Sequence, residues 1–340
     1  MVIDLRSDTV TKPCSNMLQV MMEAKVGDDV FGEDESIINL QNYTANLFGK
    51  EAALFCPSGT MTNQIAIKVH TQPGNELICD VNAHIYNYEG GGISFNSGVQ
   101  AKLLQGNEGK LNPNLIDENI NGDFDWLTKT SLICLENTVN RAGGSLYNLS
   151  EIKPIAKLCN EKNLKLHLDG ARLFNALVET KESTLEVGKC FDTISVCLSK
   201  GLGAPVGSLL IGDKEFIYKA KRIRKVFGGG MRQAGFLAEA GLFALKNNVN
   251  RLIEDHKKAK EIGACLQKQN YVNEVLNVYT NIVIFKLNPN IITGELFEQK
   301  LAKHNIKIAA FGKNTIRMVT HLDYTNQMHD KVLSVLNNGF

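Results

Sequence analysis

Short apolar runs alternate with amphipathic stretches along most of this chain. Residues 52–56, 76–80, 101–104, 131–135, 164–168, 193–198 and 207–211 are apolar segments of strand length, several rich in β-branched side chains. Runs of that kind suit strands buried on both faces. Between them, apolar positions recur at helical spacing, as Ile152, Ile155, Ala156 and Cys159 do. A helix is also predicted over 35–48, with Asp34 placed to cap it. Strands alternating with helices predict an α/β fold with a mostly parallel sheet between helical layers. From about Asn250 the pattern changes. A helix over 250–269, a strand over 281–287, a helix over 294–304, strands over 306–309 and 315–321 and a last helix predict a small α/β domain. The expected division is a large domain over 1–249, carrying a polar N-terminal segment, and a small one over 250–340.

Two of the predicted strands end in reactive chemistry. Residues 193–198 run into Ser199, Lys200 and Gly201, and residues 164–168 into Asp169, Gly170, Ala171 and Arg172. A lysine at a strand end, beside chain that only glycine lets bend freely, is placed for use rather than for solvation. The pair suits a lysine that forms a Schiff base with an aldehyde cofactor and an aspartate that keeps a pyridine nitrogen protonated. Either alone reads equally well as a surface lysine or an Asp-Gly turn. Together and in this order they resemble the pyridoxal-phosphate enzymes of the aspartate-aminotransferase fold type.

Other strand ends add to the set. Ser58, Gly59 and Thr60 turn one strand into a helix, and small residues at a helix N-terminus make an anion site or a plain cap. No Gly-Lys-Ser/Thr follows, so this is not a nucleotide-binding P-loop. His84 follows another strand closely, and its ring can lie on a pyridine, with Glu89 nearby as an acid or base; alone, such a histidine reads as structural. Arg317 alternates with Ile316 and Met318 and so faces away from them, toward solvent or toward a substrate carboxylate held in bidentate fashion. In open α/β sheets ligands bind at the carboxyl ends of the strands, where Ser58–Thr60, His84, Glu136–Asn137, Asp169–Arg172 and Ser199–Lys200 are all predicted to fall.

Composition narrows the partners. A net charge of +1 over 340 residues gives no reason to expect nucleic acid or an acidic membrane. Five basic residues within seven positions, from Lys219 to Lys225, read as a solvated helix face because no aromatic residues interleave them. The eight cysteines form no C-x-x-C pair and mostly sit in apolar runs, which points to a reducing cytoplasm and to no metal site. No signal peptide and no membrane span are expected.

The motifs Leu5-Arg6-Ser7-Asp8-Thr9-Val10-Thr11, Val26-Gly27-Asp28-Asp29-Val30-Phe31-Gly32, Leu168-Asp169-Gly170-Ala171-Arg172, Cys197-Leu198-Ser199-Lys200-Gly201-Leu202, Gly228-Gly229-Gly230-Met231-Arg232-Gln233 and Arg317-Met318-Val319-Thr320-His321 together resemble the low-specificity L-threonine aldolases. The resemblance spans essentially the whole chain and implies fold type I of the pyridoxal-phosphate enzymes. It implies that Lys200 carries the cofactor, that Asp169 partners its ring nitrogen and that His84 stacks on its ring. Gly59 and Thr60 are implied as phosphate ligands. Ser7, Arg172 and Arg317 are implied to fix the substrate carboxylate. Lys225 and Arg232 are implied to reach the cofactor region of an adjoining subunit in a homotetramer built from dimers that share active sites. The activity implied is cleavage of L-threonine and related β-hydroxy-α-amino acids to glycine and an aldehyde. Another reaction on the same cofactor, β-elimination or transamination, is the alternative, and a non-catalytic cofactor-binding scaffold is a third. The chain departs from the family at Val139 and Trp126, where relatives often carry histidine. Trp126 is expected beside the substrate, giving weak discrimination between threonine and allo-threonine.

Overall fold

The computed structural model describes residues 2–338. The chain begins with a two-residue strand, β1 (Ile3–Asp4). Then β2 (Ala52–Cys56), β3 (Asn75–Asp80), β4 (Gln100–Leu104), β5 (Lys129–Glu136), β6 (Lys165–Gly170), β7 (Thr193–Cys197) and β8 (Ser208–Gly212) form one sheet in the order β2-β8-β7-β6-β5-β3-β4. These are the seven predicted strands. All run the same way except β8, which is antiparallel to both neighbours. Every residue of β7 and β8 is buried, as expected of strands covered on both faces.

The register of the central strands brings two acids together. β6 and β7 are adjacent and parallel, with Asp169 opposite Ser195. On the other side of β6, Glu136 lies opposite Asp169. Two carboxylates therefore stand side by side at the carboxyl end of the sheet. The helix Gly59–His70, started by Ser58 accepting from the amide of Met61, packs over β7 and β8 and leads from the same end.

The C-terminal part has its own four-stranded sheet, made of β9 (Val272–Val275), β10 (Ile282–Leu287), β12 (Ala309–Ala310) and β13 (Thr315–Val319) in the order β12-β13-β10-β9. The strand expected over 306–309 is split: β11 (Ile306–Lys307) pairs in parallel with β1, while β12 joins β13. The N-terminal segment is responsible, because it inserts there and Leu5 also accepts from the amide of Val319. β9 was not foreseen in the pattern, since Asn273 and Glu274 expose it as an edge. Ile3 and Leu5 bury themselves in the C-terminal core with Phe285, Phe297 and Met318. A separate, larger core surrounds the main sheet. Among the described residues no helix is long and apolar enough to cross a membrane.

Candidate active site

A cleft of about 500 Å³ opens at the carboxyl end of the main sheet. Its lining comes from three parts of the chain: Ser7 and Thr9, then His84, Tyr88, Asn140, Arg172 and Lys200, then Ala309, Ala310, Phe311 and Arg317. Lys200 lies three residues past the end of β7. Its carbonyl accepts from Thr11 Oγ1 at 3.0 Å, so the N-terminal segment is fastened to the lysine loop.

At the inner end, both oxygens of Asp169 are bonded. Oδ2 accepts from Asn63 Nδ2 at 2.9 Å and Oδ1 from the amide of Ala171 at 3.2 Å. The same Asn63 Nδ2 donates to Glu89 Oε1 at 2.9 Å, and Gln64 Nε2 donates to Glu89 Oε2 at 2.7 Å. Asn63 and Gln64 follow Gly59 and Thr60 by one helical turn, which explains how one helix serves both ends of this region. His84 Nδ1 lies 3.1 Å from Glu89 Oε1, while Nε2 has no partner among the described residues. Burial pushes this imidazole down, but the Glu89 hydrogen bond and the charges of Asp169, Glu89 and Glu136 raise it above the ordinary 6.5. Glu136 accepts from the His84 amide at 2.8 Å and from the Asn140 amide at 2.9 Å, tying together two loops of the cleft. Burial, with the Asp169 charge beside it, pushes the Glu136 carboxyl up to about 7.

At the outer end two arginines converge on Asn140. Arg172 is buried and grips Asp8 in bidentate fashion, Nε to Oδ2 and Nη2 to Oδ1, both 2.7 Å. Burial disfavours the Asp8 carboxylate, yet Arg172 holds it well below the usual range. Arg317 donates from Nη1 to Asn140 Oδ1 at 2.9 Å and from Nη2 to the Arg6 carbonyl at 3.1 Å. Its Nε is buried with no partner. Burial, and then the charge of Arg172, push Arg317 down to about 10. A cation in this position lacks an anion.

The third region is the start of the helix Gly59–His70. Ser58 caps it, and the amides of Gly59 and Thr60 have no partner among the described residues. A side chain at Gly59 would bring its Cβ within 2.6 Å of Cys197 Sγ, so only glycine lets the helix start so close to β7.

Comparison with known proteins identifies the family. The beta-eliminating lyase family matches residues 4–289. The low specificity L-threonine aldolase of Escherichia coli K12 is 40% identical over 327 residues, covering 96% of each chain. Low-specificity L-threonine aldolase 1 of Arabidopsis thaliana is 40% identical over 329 residues, covering 95% of this chain and 92% of the relative. The chain belongs to the low-specificity L-threonine aldolases. A threonine aldolase of Leishmania major shares the fold, with a TM-score of 0.85 at 20% identity over 99% of both chains. A serine palmitoyltransferase of Sphingomonas wittichii does so with a TM-score of 0.78 at 14% identity, over 99% of this chain and 86% of the other.

Within this threonine aldolase family member, the cleft gathers Ser7, His84, Arg172, Lys200 and Arg317, with Asp169 and Glu89 behind His84. Ser58, Gly59 and Thr60 form the separate third region, and Lys225, Arg232 and Trp126 lie outside both. Lys225 ends the exposed side of the helix Lys214–Val226, and Arg232 is ion-paired with Asp28 at 3.0 Å. Trp126 precedes the first residue of β5, at the opposite end of the sheet, where it is exposed and stacks on Phe124 with ring centroids 4.8 Å apart. Sequence reasoning also missed Asn63, Gln64, Asp8 and Asn140, and it placed Glu136 at a strand end without giving it a role. One signal was available for the first two: they are polar residues of a helix whose neighbouring Ile65, Ala66 and Ile67 are wholly buried.

Proposed function

We propose that the chain uses pyridoxal phosphate to cleave L-threonine, L-allo-threonine and related β-hydroxy-α-amino acids into glycine and an aldehyde, acetaldehyde in the case of threonine. The observation that carries this reading is the single cleft in which Lys200 and His84 face Arg317, a buried cation with an unsatisfied Nε. The residues present fit the cofactor. Two free amides at a helix N-terminus suit a phosphate, the carboxylate of Asp169 suits a protonated ring nitrogen, and Lys200 suits an aldehyde. When bound, pyridoxal phosphate supplies the electron sink for the pair released from the Cα–Cβ bond.

The chain's own groups do the rest. Ser58, Gly59 and Thr60 hold the phosphate, and Lys225 and Arg232 assist from a neighbouring copy. Arg317, with Arg172 and Ser7, holds the substrate carboxylate and so fixes which bond at Cα stands ready to break. His84 Nε2 takes the proton of the β-hydroxyl, whose oxygen becomes the aldehyde carbonyl as Cα–Cβ opens. A proton returned to Cα completes glycine. Glu89 is buried and already bonded through both oxygens, so it positions His84 rather than acting as the base. Exposed Met22, Phe31, Phe95 and Val226 support assembly into a homotetramer, and eight free thiols support a reducing cytoplasm.

The test is incubation of the purified protein with pyridoxal phosphate and L-threonine. Acetaldehyde and glycine in equal amounts are expected. Release of 2-oxobutyrate instead identifies an eliminating lyase, and no product identifies a binding scaffold.

A further inference from the structure

Asn63 faces two carboxylates at once. Its Nδ2 donates to Asp169 Oδ2 and to Glu89 Oε1, each at 2.9 Å. The two ends of an amide are nearly alike in shape, so something must decide which end faces the acids. Turned around, Asn63 would point its carbonyl oxygen at both.

The deciding contact lies on the far side. Asn63 Oδ1 is 3.2 Å from His167 Nε2, His167 Nδ1 is 2.9 Å from Thr193 Oγ1, and Thr193 Oγ1 is 2.9 Å from His70 Nε2. His167 and Thr193 are wholly buried, so no water competes. Only one polarity satisfies every member: His70 donates to Thr193, Thr193 to His167, His167 to Asn63, and Asn63 to the acids. Burial keeps both imidazoles neutral, His167 pushed down to about 3 and His70 to about 4, so each has one donor nitrogen to give.

We propose that His167 is a positioning residue: by donating Nε2–H to Asn63 it sets the amide so that its Nδ2 donates to both Asp169 and Glu89. This rests on the pyridoxal-phosphate reading of the cleft, because Asp169 and, through His84, Glu89 are the groups it serves. His167 touches neither substrate nor cofactor. Its effect is to fix the hydrogen bonds that reach the acids that do the binding and positioning.

Three variants separate donation from mere packing. His167→Phe keeps a ring and removes the donor. His167→Gln restores a donor at the Nε2 position. Thr193→Val is isosteric, removes the hydroxyl that donates to Nδ1, and so leaves His167 free to move its proton there, toward the backbone of residue 193. The readouts are the dissociation constant of pyridoxal phosphate and the pH midpoint of the bound cofactor's visible absorbance, with thermal denaturation as the control for folding. His167→Phe and Thr193→Val are expected to weaken cofactor binding about tenfold or more and to move the midpoint by about one unit, as when a buried acceptor loses its donor. His167→Gln is expected to stay within about threefold of the natural protein, a shared donor being restored. If His167→Phe does not fold, Thr193→Val carries the test alone. Natural affinity and midpoint in folded Thr193→Val overturn the proposal, as does a His167→Gln protein as impaired as His167→Phe. A natural protein that takes up no pyridoxal phosphate overturns the cofactor reading itself, and that failure shows before any variant is made.

Discussion

At the inner end of the cleft, both oxygens of Asp169 and both of Glu89 have donors, supplied by Asn63, Gln64, His84 and the Ala171 amide. At the outer end Arg172 has its own carboxylate in Asp8, while Arg317 makes do with neutral oxygens and leaves a buried Nε unpaired. The inner end is complete as it stands and holds its groups in a fixed set of hydrogen bonds. The outer end is incomplete, and what it lacks is an anion. A saturated network suits a resident cofactor, whose electronics must not vary. An unsatisfied cation suits a substrate that comes and goes, because its desolvation is already part of the folded state.

The largest break is at the lysine of the cleft. Lys200→Ala should remove the bond to the cofactor, so that borohydride no longer fixes pyridoxal phosphate to the protein. Turnover should fall by more than the ~10²–10⁴-fold that a general acid–base group supplies. Cofactor still fixed by borohydride would mean that another lysine holds it.

The outer end then separates two arginines that look alike in sequence. Arg317→Ala should lower kcat/KM for threonine by about 2–5 kcal/mol of transition-state binding, the cost of losing one side of a buried charge pair. It should leave Tm and cofactor absorbance unchanged, since Arg317 has no charged partner to strand. Asp8→Ala does the reverse. It leaves Arg172 buried without its anion and should cost about 3–5 kcal/mol of stability, read as a lowered Tm. Because Arg172 depresses the Asp8 pKa, that contribution is fully present above the ordinary 3.8 and is lost only as pH falls through the lower folded value. An Arg317→Ala protein with natural kcat/KM would move the carboxylate site elsewhere.

How much of this was legible in the sequence depends on the kind of signal each part sends. All seven main strands were visible because strands buried on both faces must be continuous apolar runs, whatever surrounds them. Lys200 and Asp169 were visible because reactive residue types stood at strand ends, and Arg317 because it breaks an apolar alternation. Asp8 was visible only as part of a polar segment: its partner is 164 residues away, and pairing at that range leaves no local trace. Glu136 owes its raised pKa first to burial and then to Asp169 opposite it on the adjacent strand, and both require the register. Asn63 and Gln64 read as ordinary helix residues until the sheet beneath them is in place.

A smaller effect tests whether the inner end tunes His84. To accept a proton at Nε2 the imidazole must be neutral, so kcat/KM should rise with pH as His84 loses its proton. With its pKa raised, that limb should lie above the ordinary 6.5. Glu89→Gln removes the hydrogen-bonded charge responsible and should shift the limb to lower pH, with more of the activity kept in acid. An unmoved limb would place the base elsewhere.

The smallest effect concerns Trp126, which the sequence set beside the substrate. Threonine and allo-threonine differ only in where the hydroxyl points, so telling them apart requires a positioned acceptor on one side. In this chain the imidazole facing the cleft is His84, while Trp126 lies at the other end of β5, exposed and stacked on Phe124. An indole accepts no proton, and Val139, where relatives often have histidine, is buried and apolar. One imidazole with no opposing group should discriminate weakly, so L-threonine, L-allo-threonine and L-phenylserine should show kcat/KM values of similar order. If both ends of the cleft are complete within one subunit, Trp126→His should change the threonine to allo-threonine ratio by no more than about twofold, as for an exposed residue away from the chemistry. A shift of about tenfold, equal to roughly 1.4 kcal/mol, would mean that position 126 reaches the cleft of a neighbouring copy. The hydroxyl would then be read between subunits, and the outer end would lack more than an anion.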